Sequence, residues 1–313
     1  MADMRAVRAH SRGGPEQLRY EDAPQPRPTA GEVLVQVHAA AVTPGELDWD
    51  ATWTDAFDGG GRPRLPVIPS KEFSGVVAET GGDAGEWRAG DEVYGLIPFT
   101  RDGAAAEFTA VPAEVLAAKP PRLDHHQAAA LPLAGLTAWQ ALVVHGGLCE
   151  GARVLVHGGA GGVGSIAVQV AAALGAEVTA TAAVGDAAFV RDLGAREVLD
   201  YAAGPFEEAA GGMDLVLDTV GAPVWPGSWR VLRPGGVLVS VAAPVEAQGP
   251  EGRRGAFFVV EPDREGLDRL SGLVAEGRLT PPLADVFHLS DAAAAYTSLT
   301  RPHRRAKTVL RVR

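Results

Sequence analysis

The clearest chemistry in this 313-residue chain sits in six residues, GAGGVG, from Gly159 to Gly164. Among 39 glycines a GxGxxG match says little by itself, and its surroundings supply the meaning. An apolar run, Arg153–His157, leads straight into it. Val163, Ile166, Ala167, Val170, Ala171 and Leu174 then recur at spacings of three and four, one face of a helix, and Gly175 stands where that helix ends. In such a strand–turn–helix Gly159 permits the tight turn, Gly161 lets backbone approach a pyrophosphate, and Gly164 lets the helix lie close on the strand. The helix start at Gly162 and Val163 offers unpaired N–H groups and a partial positive charge to the phosphates. These residues point to a bound dinucleotide.

The second strand bears on which dinucleotide. A site for NAD usually places Asp or Glu at a strand end roughly 20 residues beyond the loop, to accept the ribose hydroxyls. Here EVTATAAVGD puts Thr181, Ala182, Ala183 and Val184 at that point. A ribose 2′-phosphate would meet no carboxylate there, so NADPH is the expected cofactor. Asp186 lies slightly farther on. It reads as the N-cap of the helix AAFVRDLG, with service to an NAD ribose as the alternative.

The elements that must position these residues change character along the chain. Residues 1–123 carry short strands such as Arg5–Ala9 and Val33–Ala41 between Gly and Pro turns, with no long amphipathic helix, and read as a β-domain. HHQAAALPLAGLTAWQALVVHGG reads as two short helices split at Pro132. Strands and helices then alternate through RVLVHG, EVTATA, EVLDY, DLVLDTVG and GGVLVSVAAP, the texture of βαβ units on a parallel sheet. We therefore expect a dinucleotide-binding domain over residues 124–265. Residues 266–313 end on the strand KTVLRVR and are expected to return to the β-domain.

Composition narrows the classes further. Hydrophobic residues at 46% and charged ones at 21% suit a folded globular chain. No apolar run approaches the roughly 20 residues of a membrane helix, and MADMRAVRAH lacks the apolar stretch of a signal peptide, so a cytoplasmic location is the default. A net charge of −11 argues against nucleic-acid binding, and the basic run Arg301–Lys307 reads as solvated surface. The lone Cys149 excludes an internal disulfide and any multi-cysteine zinc site, while His125–His126 reads as a polar loop.

Taken in order, MRAVRAHSRGGPEQLRYEDAPQPRPTAGEVLVQVHAA, EFSGVVAETG, AGDEVYGL, AALPLAGLTAWQAL, VLVHGGAGGVGSIAVQVAAALGAEV, LGAREVLDY, LDTVG, VLRPGGVLVS and KTVLRV span nearly the whole chain. The set resembles the medium-chain dehydrogenase/reductase superfamily, in its zinc-independent, zeta-crystallin-like quinone oxidoreductase branch. The resemblance implies an α/β fold in which a Rossmann doubly wound parallel sheet domain joins a discontinuous GroES-like β-domain. It also implies a homodimer that acts on a small molecule. Positions matching the zinc ligands of related alcohol dehydrogenases are Thr43 and Ser70-Lys71-Glu72. Lysine cannot replace a neutral imidazole and threonine is a poor zinc ligand, so no metal is expected.

Hydride would then go to an acceptor with its own electron sink, a quinone or an α,β-unsaturated carbonyl. By the same resemblance Thr137 lies near the nicotinamide, Thr219 and Val220 border the ribose, and Val241, Ala242, Phe257 and Phe258 face the nicotinamide end. Tyr201 matches a tyrosine that helps hold the 2′-phosphate. Thr43, Asp48 and Trp49 are the candidate catalytic residues: Thr43 would hydrogen-bond the substrate carbonyl, Trp49 would wall the pocket, and Asp48 would be the one other polar group near the reacting oxygen. The Ser followed by Lys or Arg usual after the second strand is absent, since Ala182–Gly185 stand there; Arg191 is the nearest cation and reads as a solvated helix residue. Two alternatives remain open: an enoyl or alkenal reductase of a biosynthetic pathway, and a catalytically inactive NADPH-binding sensor or structural protein.

Overall fold

Alternating strands and helices after Gly151 assemble into a six-stranded parallel sheet. In space its strands run Glu197–Asp200, Glu177–Ala182, Arg153–Val156, Met213–Asp218, Leu232–Ser240 and Arg254–Phe257. The order reverses between Arg153–Val156 and Met213–Asp218, and a crevice at the carboxyl ends of strands at such a switch is where this doubly wound fold takes ligands. The structure is a computed structural model and describes residues 2–57, 60–301 and 305–313. No helix among the described residues is long and apolar enough to cross a membrane.

The Gly-rich loop leaves strand Arg153–Val156 and enters helix Gly162–Ala173. Ile166, Ala167, Val170 and Ala171 are fully buried on the face their spacing marks out. The seven-stranded β-domain sheet runs Leu283–His288, Lys307–Arg311, Glu32–Val42, Glu72–Thr80, Glu92–Leu96 and Leu116–Ala118, with Phe108–Pro112 also paired to Glu32–Val42. The chain's last strand therefore lies antiparallel to one of its first, with Thr308 opposite Val42. Helix Pro132–Trp139 packs between the two sheets, and Leu136, Leu96, Val156 and Leu267 belong to one core cluster. Where the sequence reads a second plain helix, the turns after Trp139 widen into a π-helix, Gln140–His145. Its Gln140 side chain donates to the Glu261 carbonyl at 2.9 Å and accepts the Glu261 N–H at 3.1 Å, which fixes the segment bearing Phe257 and Phe258.

His157, fully buried at the end of its strand, has Nδ1 3.2 Å from the Thr181 hydroxyl and Nε2 3.0 Å from that of Ser228. Burial pushes its imidazole down to about 4. On acidification the unfolded chain takes up the proton first, so stability present above pH 6.5 is lost progressively toward pH 4. A depression of that size corresponds to about 3 kcal/mol. His125, also held near 4 by burial, adds to the loss over the same window. Urea titrations at several pH values are expected to show this slope, and His157→Gln should flatten it by its own share. An unchanged slope in the variant would remove His157 from the account.

Candidate active site

A cavity of about 640 Å³ opens where the carboxyl ends of the parallel strands face the β-domain. Thr219 and Val241, each just past a parallel strand, line one side with Gly161, Gly162 and Val163. Thr43 and Trp49 line the other, and Thr137, Phe257 and Phe258 complete it. These residues lie far apart in sequence, and the fold brings them to one space. Thr219 is held by its hydroxyl, which donates to the His157 carbonyl at 2.7 Å, and Thr137 by a like bond to Leu133 at 2.7 Å.

The glycine loop has its left-handed residue at Gly158 (φ 72°), one position before the residue the sequence reading chose for the turn. Gly159 matters for space instead, because a Cβ there would stand 2.8 Å from that of Ala180. A Cβ on Gly164 would stand 2.1 Å from the Gly158 carbonyl oxygen, so the helix can cross its strand only without a side chain. A Cβ on Gly161 would meet nothing nearer than the Gly158 oxygen at 3.3 Å and would project into the cavity. That cradle fits a pyrophosphate laid on the helix start.

At the adenosine end the structure departs from expectation. Asp186 occupies the N-cap position of helix Ala187–Asp192, yet its carboxylate makes no capping hydrogen bond. It is ion-paired with Arg305, whose guanidinium also donates to the Gly185 carbonyl at 2.7 Å and lies 5.6 Å from the Phe189 ring centre. The Ala306 N–H donates to Ala160 at 2.8 Å, so this stretch of chain crosses directly over the glycine loop. The basic run Arg301–Lys307 is therefore not all solvated surface; its residues 302–304 lie outside the described residues. Thr181 is buried, with its hydroxyl accepting the Gly158 N–H at 3.2 Å, and supports the loop from beneath. Tyr201 is exposed beside the same strand end, its N–H directed at the Ala182 carbonyl at 3.4 Å, and Arg191 is exposed.

At the opposite end Lys307, missed by the sequence reading, enters the cavity. Its ammonium is ion-paired with fully buried Glu72 and donates to the Thr43 hydroxyl at 3.1 Å. The other Glu72 oxygen accepts the Leu133 N–H at 2.9 Å. Glu72 was itself the available signal, a carboxylate opening an apolar strand and in need of a cation. Asp48 is not brought into the cavity. Left-handed Gly45 begins a tight turn over Glu46–Asp48 that leaves Asp48 exposed, and Asp50 lines the cavity edge instead, paired with Arg12 at 2.6 Å. Glu46 anchors that turn: it accepts the Ser70 N–H and the Tyr296 hydroxyl, each at 2.7 Å. Burial pushes the Glu46 carboxyl up and the neighbouring Lys71 ammonium down to about 8.

Two family descriptions match the chain: "Alcohol dehydrogenase GroES-like domain" over residues 29–121 and "Zinc-binding dehydrogenase" over residues 193–310. The human NAD(P)H oxidoreductase RTN4IP1, mitochondrial, is 33% identical across 90% of this chain and 82% of its own length. A quinone oxidoreductase structure from Coxiella burnetii superposes with a TM-score of 0.88 at 33% identity, covering all of both chains. The chain is a medium-chain dehydrogenase/reductase of the zinc-independent branch. As a member of that superfamily it is an NAD(P)H-dependent oxidoreductase. The NADPH-dependent alkenal/one oxidoreductase of Arabidopsis thaliana, chloroplastic, is a further relative at 32% identity over 95% of this chain and 77% of its own length.

The same comparisons correct the cytoplasmic expectation, because the relatives from human, mouse and zebrafish are named mitochondrial. The default rested on a missing apolar leader, and organelle transit peptides are amphipathic and Arg-rich rather than apolar, so that search could not see one. The zinc in one family's description finds no group of suitable donors among the described residues. Lys71 turns its ammonium to the Arg101 carbonyl, and both Glu72 oxygens are engaged by Lys307 and Leu133. Elemental analysis is expected to find far less than one zinc per chain, with activity surviving EDTA. Stoichiometric zinc would overturn this assignment.

Proposed function

We propose that this enzyme is an NADPH-dependent, zinc-independent reductase of quinones or α,β-unsaturated carbonyls. The observation that carries the reading is the shared cavity, which joins the glycine cradle at Gly161 to a polar donor at Thr43 beside an aromatic wall. Trp49 meets Phe99 edge-on at 5.4 Å, and Phe57 meets Phe99 at 6.2 Å, surfaces suited to a planar acceptor. With its pyrophosphate in the cradle, a reduced nicotinamide cofactor would supply hydride. The chain's own residues hold the acceptor against it, exclude water, and present Thr43 to the oxygen where charge gathers.

Arg305 favours NADPH over NADH, since it is a cation at the strand end where a ribose 2′-phosphate would lie. The names of the quinone and alkenal/one oxidoreductases support the acceptor class. A homodimer is supported by strand Arg254–Phe257, which ends its sheet and leads to exposed Val259. Sedimentation should then give twice the 32.4 kDa chain mass.

The test is NADPH oxidation with 1,4-naphthoquinone, an enal and a cyclic enone, set against benzyl alcohol with NADP⁺. Reduction of at least one of the first three, well ahead of alcohol oxidation, is expected. Faster alcohol oxidation would refute the reaction class. Tight NADPH binding with no turnover of any acceptor would favour the sensor alternative.

A further inference from the structure

We propose that Lys307 provides the electrophile of this reaction, acting through Thr43 at the place where a zinc dehydrogenase would hold its metal. The proposal rests on the reductase reading above and names what stabilises the charge that reduction creates. Lys307 begins the last strand, yet its side chain is only 5% exposed and its partner Glu72 is fully buried. Both Lys307 and Thr43 line the cavity, and Thr43 is the position that matches a zinc ligand.

The hydrogen-bond inventory at Thr43 sets its polarity. A hydroxyl has one proton to donate and two lone pairs to accept with. The Lys307 ammonium fills one lone pair at 3.1 Å. The Thr43 hydroxyl donates to Glu72 at 3.5 Å, the length limit of a bond, while the same carboxylate also accepts from Lys307 and from the Leu133 N–H at 2.9 Å. Because that bond is long, the Thr43 proton can turn to an oxygen in the cavity, and the ammonium on its lone pair strengthens it as a donor. Lys307 is a positioning residue; Thr43 is the group that touches substrate.

For an enone the step balances as follows. Hydride supplied by a bound reduced nicotinamide would form the new C–H bond at the β-carbon, leaving that cofactor oxidised. The C=C electron pair shifts so that negative charge settles on the carbonyl oxygen, where Thr43 donates. Water then protonates the enolate. A quinone differs only in becoming a hydroquinone anion.

The competing role for Lys307 is support of the pyrophosphate alone, since its Cδ would lie 3.0 Å from a Cβ on Gly162 at the helix start. Four variants separate the two: Lys307→Met, Lys307→Arg, Thr43→Val and the double Thr43→Val/Lys307→Met. Lys307→Met is expected to lower kcat for naphthoquinone and cyclohexenone by about 100-fold, the scale of a lost oxyanion donor. NADPH affinity, read by nicotinamide fluorescence, should change far less than kcat does. Lys307→Arg keeps the charge and the Glu72 pair, guards against misfolding, and should recover much of the rate. The double variant should be no slower than the worse single one, because both remove the same donor.

A reading without turnover uses 4-nitrophenol with NADP⁺. At a pH near its own pKa, wild-type enzyme should raise the phenolate absorbance more than Lys307→Met does. Equal kcat in Lys307→Met, additive losses in the double variant, a loss confined to NADPH binding, or no difference in phenolate absorbance would each overturn the proposal. If wild type reduces neither acceptor, the reductase reading fails, and the phenolate comparison still decides Lys307.

Discussion

Replacing Gly161 by Val is expected to abolish dinucleotide binding while leaving the chain folded. The backbone at Gly161 is ordinary extended chain (φ −73°, ψ 178°), which valine adopts readily. Its Cβ would stand 3.3 Å from the Gly158 oxygen, a contact small shifts relieve, and the branched methyls would fill the space a pyrophosphate needs. Losing two charge-assisted bonds at roughly 1.5 kcal/mol or more each predicts weakening of about 100-fold or greater for NADPH and NADH alike. Fluorescence titration reads the affinity and circular dichroism the fold. Gly164→Val is the contrasting control. Its Cβ would stand 2.1 Å from a backbone oxygen, so that variant should fail to fold. Normal cofactor binding by Gly161→Val would remove the loop from the site.

Arg305→Ala is expected to reverse the cofactor preference. In the wild type Arg305 neutralises Asp186 and presents its guanidinium at the end of strand Glu177–Ala182. Charge-assisted bonds to a 2′-phosphate contribute roughly 1.5–3 kcal/mol, so NADPH should weaken by about 10- to 100-fold. NADH should hold or improve, because the freed Asp186 carboxylate can accept ribose hydroxyls. Asp186→Ala should act in the opposite sense by releasing Arg305 to the phosphate. Titration with 2′,5′-ADP against 5′-ADP isolates the effect from the nicotinamide. Equal losses for both nucleotides in Arg305→Ala would make the arginine a general support and withdraw the main argument for NADPH.

Much of the fold was legible because its signals are local. The helix after the glycine loop declares itself by apolar residues three and four apart, and each strand by a short apolar run between turns. The loop's glycines are legible for the same reason, though the left-handed turn falls at Gly158 rather than Gly159, a choice that only backbone geometry makes. The absence of an acid at Thr181–Val184 is also a local fact. Asp48 was misjudged because a single left-handed glycine, Gly45, decides which of Asp48 and Asp50 faces the cavity.

The chain's own sequence determined the dinucleotide loop, the two kinds of sheet and the unsuitability of Thr43 and Lys71 for zinc. Only the tertiary structure decided what stands beside Thr43 and what partners Asp186. Lys307 lies 264 residues from Thr43, and Arg305 lies 119 from Asp186. A basic run looks like solvated surface in sequence because charge ordinarily stays in water. Here the last strand docks beside Glu32–Val42, with Thr308 opposite Val42, and that pairing carries Lys307 out of water and onto Glu72. No local period encodes it, because a buried ion pair is specified by the partner that tertiary folding brings to it.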